Sequence, residues 1–145
     1  MNDNYADLIN AMPAEEVVAR TAWGEARSLG QRGMQGVTNV IQARVANPSW
    51  WGFNWRGVCL ARYQFSCWND GDPNLHKLLN VTVADPQYVS ALSLGMDAIS
   101  GELPDIVEGA DSYFDLSLPV PPYWAKGQTP VAEIGTLQFF KLRKT

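Results

Sequence analysis

Along the first hundred residues, apolar positions recur mostly with the period of a helix. Tyr5, Leu8, Ile9 and Met12 fall at helical spacing and predict a short opening helix. Pro13 suits the first position of a longer helix, with Glu15 and Glu16 in its first turn and Gly30 beyond its end. Met34, Val37, Thr38, Ile41 and Val45 form the stripe of the next helix. That helix stops at Asn47-Pro48, because a proline disfavours helical backbone in the residue before it. Gly33 and Gly36 lie inside it, and no Gly-Lys-Ser or Gly-Lys-Thr follows; a closely approaching backbone explains them better than a phosphate loop.

The helical pattern breaks over 48–74, where Trp50, Trp51, Trp55, Trp68, Gly71 and Pro73 cluster. A short helix is expected over Leu75–Asn80. Asp85-Pro86 opens a further helix with the stripe Tyr88, Ala91, Leu92, Gly95 and Ile99, closed by Gly101. In the last third, Asp111–Asp115 and Ile134–Leu142 read as short strands joined by the proline-rich loop 119–130. The pattern is that of an α+β fold, mainly α, with a small hairpin or sheet near the C-terminus.

One polar residue interrupts this order. On a helical wheel at about 100° per residue with Val17 at zero, Thr21, Val18, Leu29 and Ala22 span an apolar stripe from roughly 40° to 140°. Glu25 falls near 80°, inside the stripe, while Glu16, Arg20, Trp23 and Arg27 fall on the opposite side. A carboxylate there can pair with a buried base, end the stripe in solvent, or line a cleft where a proton is useful. Partial burial would favour the protonated acid, and nearby arginines would oppose it.

Composition narrows the choices. At 145 residues, the chain is expected to form one domain, 1–145, with a core that needs no disulfide or metal support. Apolar types make up 46% and charged types 18%, which excludes a disordered chain. The net charge of −4 argues against a nucleic-acid binder. No apolar run approaches the roughly 20 residues of a membrane span, so stable membrane insertion is not expected. The first positive charge is Arg20, so a basic signal-peptide start is not seen.

Charge is unevenly spread: six arginines and a single acid, Glu25, lie between Arg20 and Arg62. Seven acids and no base lie between Leu78 and Ala125. This gives either two solvated faces or an arginine-rich half that meets an anionic substrate. Six tryptophans suit a sugar cleft or a plain core equally.

Other chemistries find less support. His76, beside Lys77, reads as a surface residue, and with Cys59 and Cys67 it makes no metal-binding spacing; no metal or other cofactor is expected. A Cys–His nucleophile pair has no motif behind it. The two cysteines, eight positions apart, could be bonded or reduced.

An ordered set of motifs then points to a family. Trp23-Gly-Glu-Ala-Arg27, Gly33-Met34, Val37-Thr-Asn-Val-Ile41 and Arg44-Val45 resemble the opening of the SleB-type cell-wall hydrolases. The likeness runs on through Tyr63-Gln-Phe-Ser-Cys-Trp-Asn69, Gly101-Glu-Leu-Pro104, Gly109-Ala-Asp-Ser-Tyr113, Trp124 and Ile134-Gly135 with Phe139. The resemblance implies a lysozyme-like fold related to lytic transglycosylases. It also implies peptidoglycan glycan strands as substrate, cut at the β-1,4 link from N-acetylmuramic acid to N-acetylglucosamine. In the family's Gly-Glu-Ala-Arg motif the glutamate is the catalytic acid, which here is Glu25.

Ordinary glycosidases use two carboxyl groups. No second acid here matches a family motif, and Asp70 and Asp72 read as turn residues. The resemblance therefore favours lytic transglycosylation, with Glu25 as acid and then base, over hydrolysis. It assigns Gln64 and Ser66 to hydrogen bonds with the sugar, Tyr113 to orienting the N-acetyl group, and Trp68 and Trp124 to stacking on sugar faces. Phe65, Trp68 and Trp124 are equally well explained as core.

There are departures from the family pattern. Ile134-Gly-Thr-Leu-Gln-Phe139 has Leu137 where the family has histidine, leaving Thr136 or Gln138 as substitutes, and Ala43 replaces a frequent asparagine before Arg44. The expectation is a monomeric enzyme made in the cytoplasm and acting on the wall, released through a holin if phage-encoded. The alternatives are an idle glycan-binding module on the same fold, a hydrolytic muramidase, or an amidase.

Overall fold

The computed structural model describes residues 3–144. Six α-helices lead into a small sheet: α1 (Asp3–Ala11), α2 (Ala14–Ala26), α3 (Gly30–Ala46), α4 (Trp55–Leu60), α5 (Pro73–Asn80) and α6 (Pro86–Ser100). The strands β1 (Ser112–Asp115), β2 (Ala132–Ile134) and β3 (Leu137–Phe140) form an antiparallel sheet in the order β1-β3-β2. Short 3-10 turns cover Arg27–Leu29, Ser66–Trp68 and Tyr123–Ala125.

The helix boundaries follow the capping chemistry. Asp72 and Asp85 accept backbone N–H groups at the starts of α5 and α6, each just before a proline. Gly101 ends α6 at φ 81°, a left-handed position suited to glycine. Gly30 lies beyond the end of α2, as expected, and opens α3 after the chain tightens into the 3-10 turn that follows Ala26.

Helix α2 is the hub, with α3, α4, α5 and α6 packed around it. Val17, Val18, Ala19 and Ala22 are shut off from solvent, and so are Arg20 and Trp23. The wheel put Arg20 and Trp23 on a polar face. A helix surrounded by neighbours has no such face, and Arg20 is accommodated by its partners: it donates to the carbonyls of Leu78 and Val81, bonds Glu16 at 3.3 Å and lies over the Tyr88 ring.

Three more arginines of that half are likewise spent internally, while Arg32 and Arg62 stay exposed. Arg56 holds the carbonyls of Ile9 and Met12 at the end of α1, Arg27 those of Trp23 and Gly24, and Arg44 that of Asp111. Arginines on terminal helix carbonyls satisfy groups that have no partner within the helix.

The expected strand Ile134–Leu142 is divided. Gly135, at φ 56°, turns the chain between β2 and β3, so one apolar run makes two strands. The sheet meets the helices where α3 has no side chain. A Cβ at Gly36 would lie 2.7 Å from Phe139 Cζ and 2.8 Å from Ile134 Cδ1, so the close approach at that glycine is made by side chains of the sheet and not by the expected backbone.

Candidate active site

Glu25 stands in the last turn of α2, half-buried, with both carboxylate oxygens engaged. Oε1 accepts the Tyr113 hydroxyl at 2.6 Å. Oε2 accepts the backbone N–H of Cys67 at 3.1 Å and the Ser66 hydroxyl at 3.4 Å. Three separate elements therefore meet at one carboxylate: the end of α2, the turn Ser66–Trp68, and β1. Of the described ion pairs, Arg20–Glu16 and Arg143–Asp111, neither involves Glu25. Among the three fates open to it, the structure excludes capture by a buried base in any described ion pair.

Each partner is held in turn. Tyr113 lies on the helix-facing side of the sheet, its ring 5.7 Å from that of Phe139 and 6.4 Å from that of Phe65. Burial, and then the Glu25 carboxylate, push the Tyr113 hydroxyl well above its ordinary range, so it stays protonated and able to donate. The Cys67 N–H is aimed by the 3-10 turn. A Cβ on Gly24 would meet Cys67 Cβ at 2.9 Å, so α2 and this turn touch at the residue before Glu25.

Arg44 braces both flanks. Buried on α3, it donates Nε to the Asp111 carbonyl at 2.7 Å, just ahead of β1, and Nη1 to Gln64 Oε1 at 3.3 Å. Its guanidinium faces the rings of Trp51 and Phe65 at 5.4 and 5.5 Å. Burial lowers its pKa, which the nearby Tyr113 and Asp111 partly offset. The Asp111 carboxylate is itself taken up by Arg143 and the N–H groups of Leu142 and Arg143.

The sugar-contact candidates separate into two groups. Ser66 and Tyr113 touch Glu25, and Gln64 lies in the same segment as Ser66. Trp68 and Trp124 do not join them. Trp68 is largely buried with its Nε1–H given to Thr21 Oγ1 at 2.9 Å, and the concavity it lines is one that Glu25 does not share. Trp124 packs edge-on to Phe114 and Phe140. Those side chains lie on the sheet face opposite Tyr113, since neighbours along a strand alternate sides.

Asp72 caps α5, and Asp70 lines a concavity of about 580 Å³ with Ile9, Arg62 and Tyr63; Glu25 lines no part of it. His76 is exposed, and Cys59 and Cys67 are buried free thiols. Leu137 is buried on the sheet face that carries Tyr113. Gln138, offered as its substitute, is on the other face and bonds Glu133 at 2.8 Å. Sequence reasoning missed Arg44 as a brace; its apolar setting beside Val45 on a buried helix was the available signal.

A half-buried carboxylate held by a tyrosine, a serine and a backbone N–H therefore stands at the junction of a helical core and a small sheet, the geometry of a candidate acid. The model of the Cell Wall Hydrolase family matches residues 29–140, and the chain belongs to that family. The matched span begins after Glu25. No curated protein matches.

Among solved structures, the catalytic domain of the Bacillus cereus SleB protein is similar at a TM-score of 0.64 and 24% identity, over 88% of this chain and 89% of that one. The catalytic domain of the germination-specific lytic transglycosylase SleB from Bacillus anthracis is similar at 0.63 and 24%, over 91% and 98%. These likenesses establish the fold, which is that of the SleB catalytic domain.

Proposed function

We propose that this protein degrades peptidoglycan by cutting the β-1,4 bond between N-acetylmuramic acid and N-acetylglucosamine, with Glu25 as the acid. The observation that carries the reading is the 2.6 Å contact from Tyr113 to a carboxylate that enters no described ion pair. Family membership and the SleB-like fold support the choice of substrate. Both hydroxyls at the site, on Tyr113 and Ser66, can turn to donate or accept, so the carboxyl finds partners with or without its proton. The Cys67 N–H is a fixed donor to Oε2, which leaves Oε1 as the less costly seat for a proton.

The reaction proposed is lytic transglycosylation. Glu25 protonates the leaving oxygen, and the substrate's own N-acetyl group stabilises the charge at C1. The Glu25 carboxylate then takes the proton of the C6 hydroxyl, whose oxygen closes a 1,6-anhydro ring. Asp72 is taken up as the cap of α5 and Asp70 lines a concavity that Glu25 does not share, in keeping with a route that needs a single carboxyl.

Mass spectrometry of digested sacculi tests this. Muropeptides one water lighter than reducing-end products are expected, and Glu25→Gln should abolish them. Reducing ends would replace transglycosylation by hydrolysis, freed peptides with intact sugars would mean amidase action, and lysis surviving in Glu25→Gln would remove Glu25 from the chemistry.

A further inference from the structure

Trp50 is 71% exposed at the tip of the loop 48–54, whose turn is closed by reciprocal backbone bonds between Ser49 and Gly52. A ligand that covers this indole removes apolar surface from water, which favours its binding. Its neighbour Trp51 is buried, with Nε1–H bonded to the carbonyls of Arg44 and Asn47. The Trp51 ring lies 5.3 Å from that of Trp50. The exposed ring is therefore mounted on a fixed base.

What stands beside it gives the chemistry of a ligand. The Arg44 guanidinium lies 6.0 Å from the Trp50 ring and donates to Gln64 Oε1. Arginine can only donate, so the Gln64 amide must turn its oxygen inward, and Nε2 is left as a donor with no partner among the described residues. A flat apolar ring and an amide donor without a described partner, both flanking Arg44, match an N-acetylated hexosamine. The C–H face of the sugar covers the indole, and the acetamido carbonyl accepts from Gln64.

The pair is linked to the candidate site through the buried side chains of Arg44 and Phe65. From Trp50 through Arg44, Phe65 and Tyr113 to Glu25, no step exceeds 6.4 Å. We infer that Trp50, with Gln64, forms a saccharide subsite that grips the glycan strand away from the bond being cut, with Arg44 as its positioning residue. The inference rests on the glycan-cutting reading above, and on the sugar contact that the family resemblance implies for Gln64.

Chitohexaose, the β-1,4 hexamer of N-acetylglucosamine, is the probe. It should quench tryptophan fluorescence in the wild type. Trp50→Ala should remove the quench and weaken binding about five- to tenfold, the loss expected for one stacking ring, and Trp50→Phe should restore most of the affinity. With cell-wall substrate, Trp50→Ala should raise KM by a similar factor and change kcat by less than about twofold.

Phe53, 76% exposed on the same loop, is the control. If Phe53→Ala costs as much as Trp50→Ala, the tip is a generally adhesive surface and the subsite is wrong. Unchanged affinity in a folded Trp50→Ala, or loss confined to phosphatidylglycerol vesicle binding, overturns it as well. Repeating the binding in Glu25→Gln separates the two claims. Loss of lysis with binding intact supports the acid, whereas loss of binding in Trp50→Ala alone supports the subsite.

Discussion

The Tyr113 hydroxyl reaches Glu25 Oε1 at 2.6 Å although 88 residues separate the two in the chain. The contact exists because the sheet lays β1 against the end of α2. Tyr113→Phe keeps a ring between Phe65 and Phe139 and deletes only the bond to the carboxylate. A bond to a charged group contributes about 1.5–3 kcal/mol to the folded state, so the melting temperature should fall by roughly 5 °C, and loss of the group that orients Glu25 should lower kcat roughly tenfold. Dye release from labelled cell wall measures this, and an unaltered rate would end the role given to Tyr113.

Gly24 couples packing to chemistry. A methyl group there would lie 2.9 Å from Cys67 Cβ and 3.1 Å from Leu78 Cδ2, both in the core. Alanine gains up to about 1 kcal/mol in helix propensity, and overpacking costs about 1–3 kcal/mol. Gly24→Ala should therefore lose up to about 2 kcal/mol in urea unfolding. It should also cut the rate about tenfold, because moving Cys67 draws its N–H away from Glu25.

The parts of this fold that periodicity could reach were those with one wet face and one dry face. Helices α3 and α6 fit that description, and the caps at Asp85 and Gly101 fixed the ends of α6. Helix α2 did not fit, since neighbours enclose it, and the wheel misplaced Arg20 and Trp23 while still marking Glu25. Helix α4 went unseen because six residues carry less than two turns of pattern, and Asn54, its N-cap, sat among tryptophans. The partners of Glu25 come from distant segments brought together by tertiary contacts, which periodicity does not carry. Trp68 and Trp124 show the same limit: a family motif marks a position, and only packing decides which way the ring faces.

Asp111 should set part of the acid limit of stability. Burial pushes its carboxyl up, but the N–H groups of Leu142 and Arg143, the Arg143 guanidinium and the Ser112 hydroxyl outweigh this and hold its pKa below the ordinary value. A depressed folded-state pKa gives stability that is complete above the unfolded value, about 3.9, and is lost as pH falls through the lower folded value. Thermal melts should show that loss below about pH 4. Asp111→Asn should be less stable by about 1–3 kcal/mol at pH 7 and flatter across the acid range. A wild-type acid limb that Asp111→Asn leaves unchanged would place the titration elsewhere.

The two cysteines should be chemically silent in the native protein. Burial pushes the Cys59 thiol up to about 12, and burial followed by the Glu25 carboxylate pushes Cys67 well above its usual range. Only the thiolate attacks, and at pH 8 a thiol of pKa 12 is ionised in about one molecule in ten thousand. Ellman's reagent should find almost no reactive thiol at pH 8, and two equivalents once guanidinium unfolds the chain. Iodoacetamide should leave lysis intact under native conditions. Rapid alkylation with loss of activity would mean that the turn Ser66–Trp68 opens in solution, and with it the backbone bond that steadies Glu25.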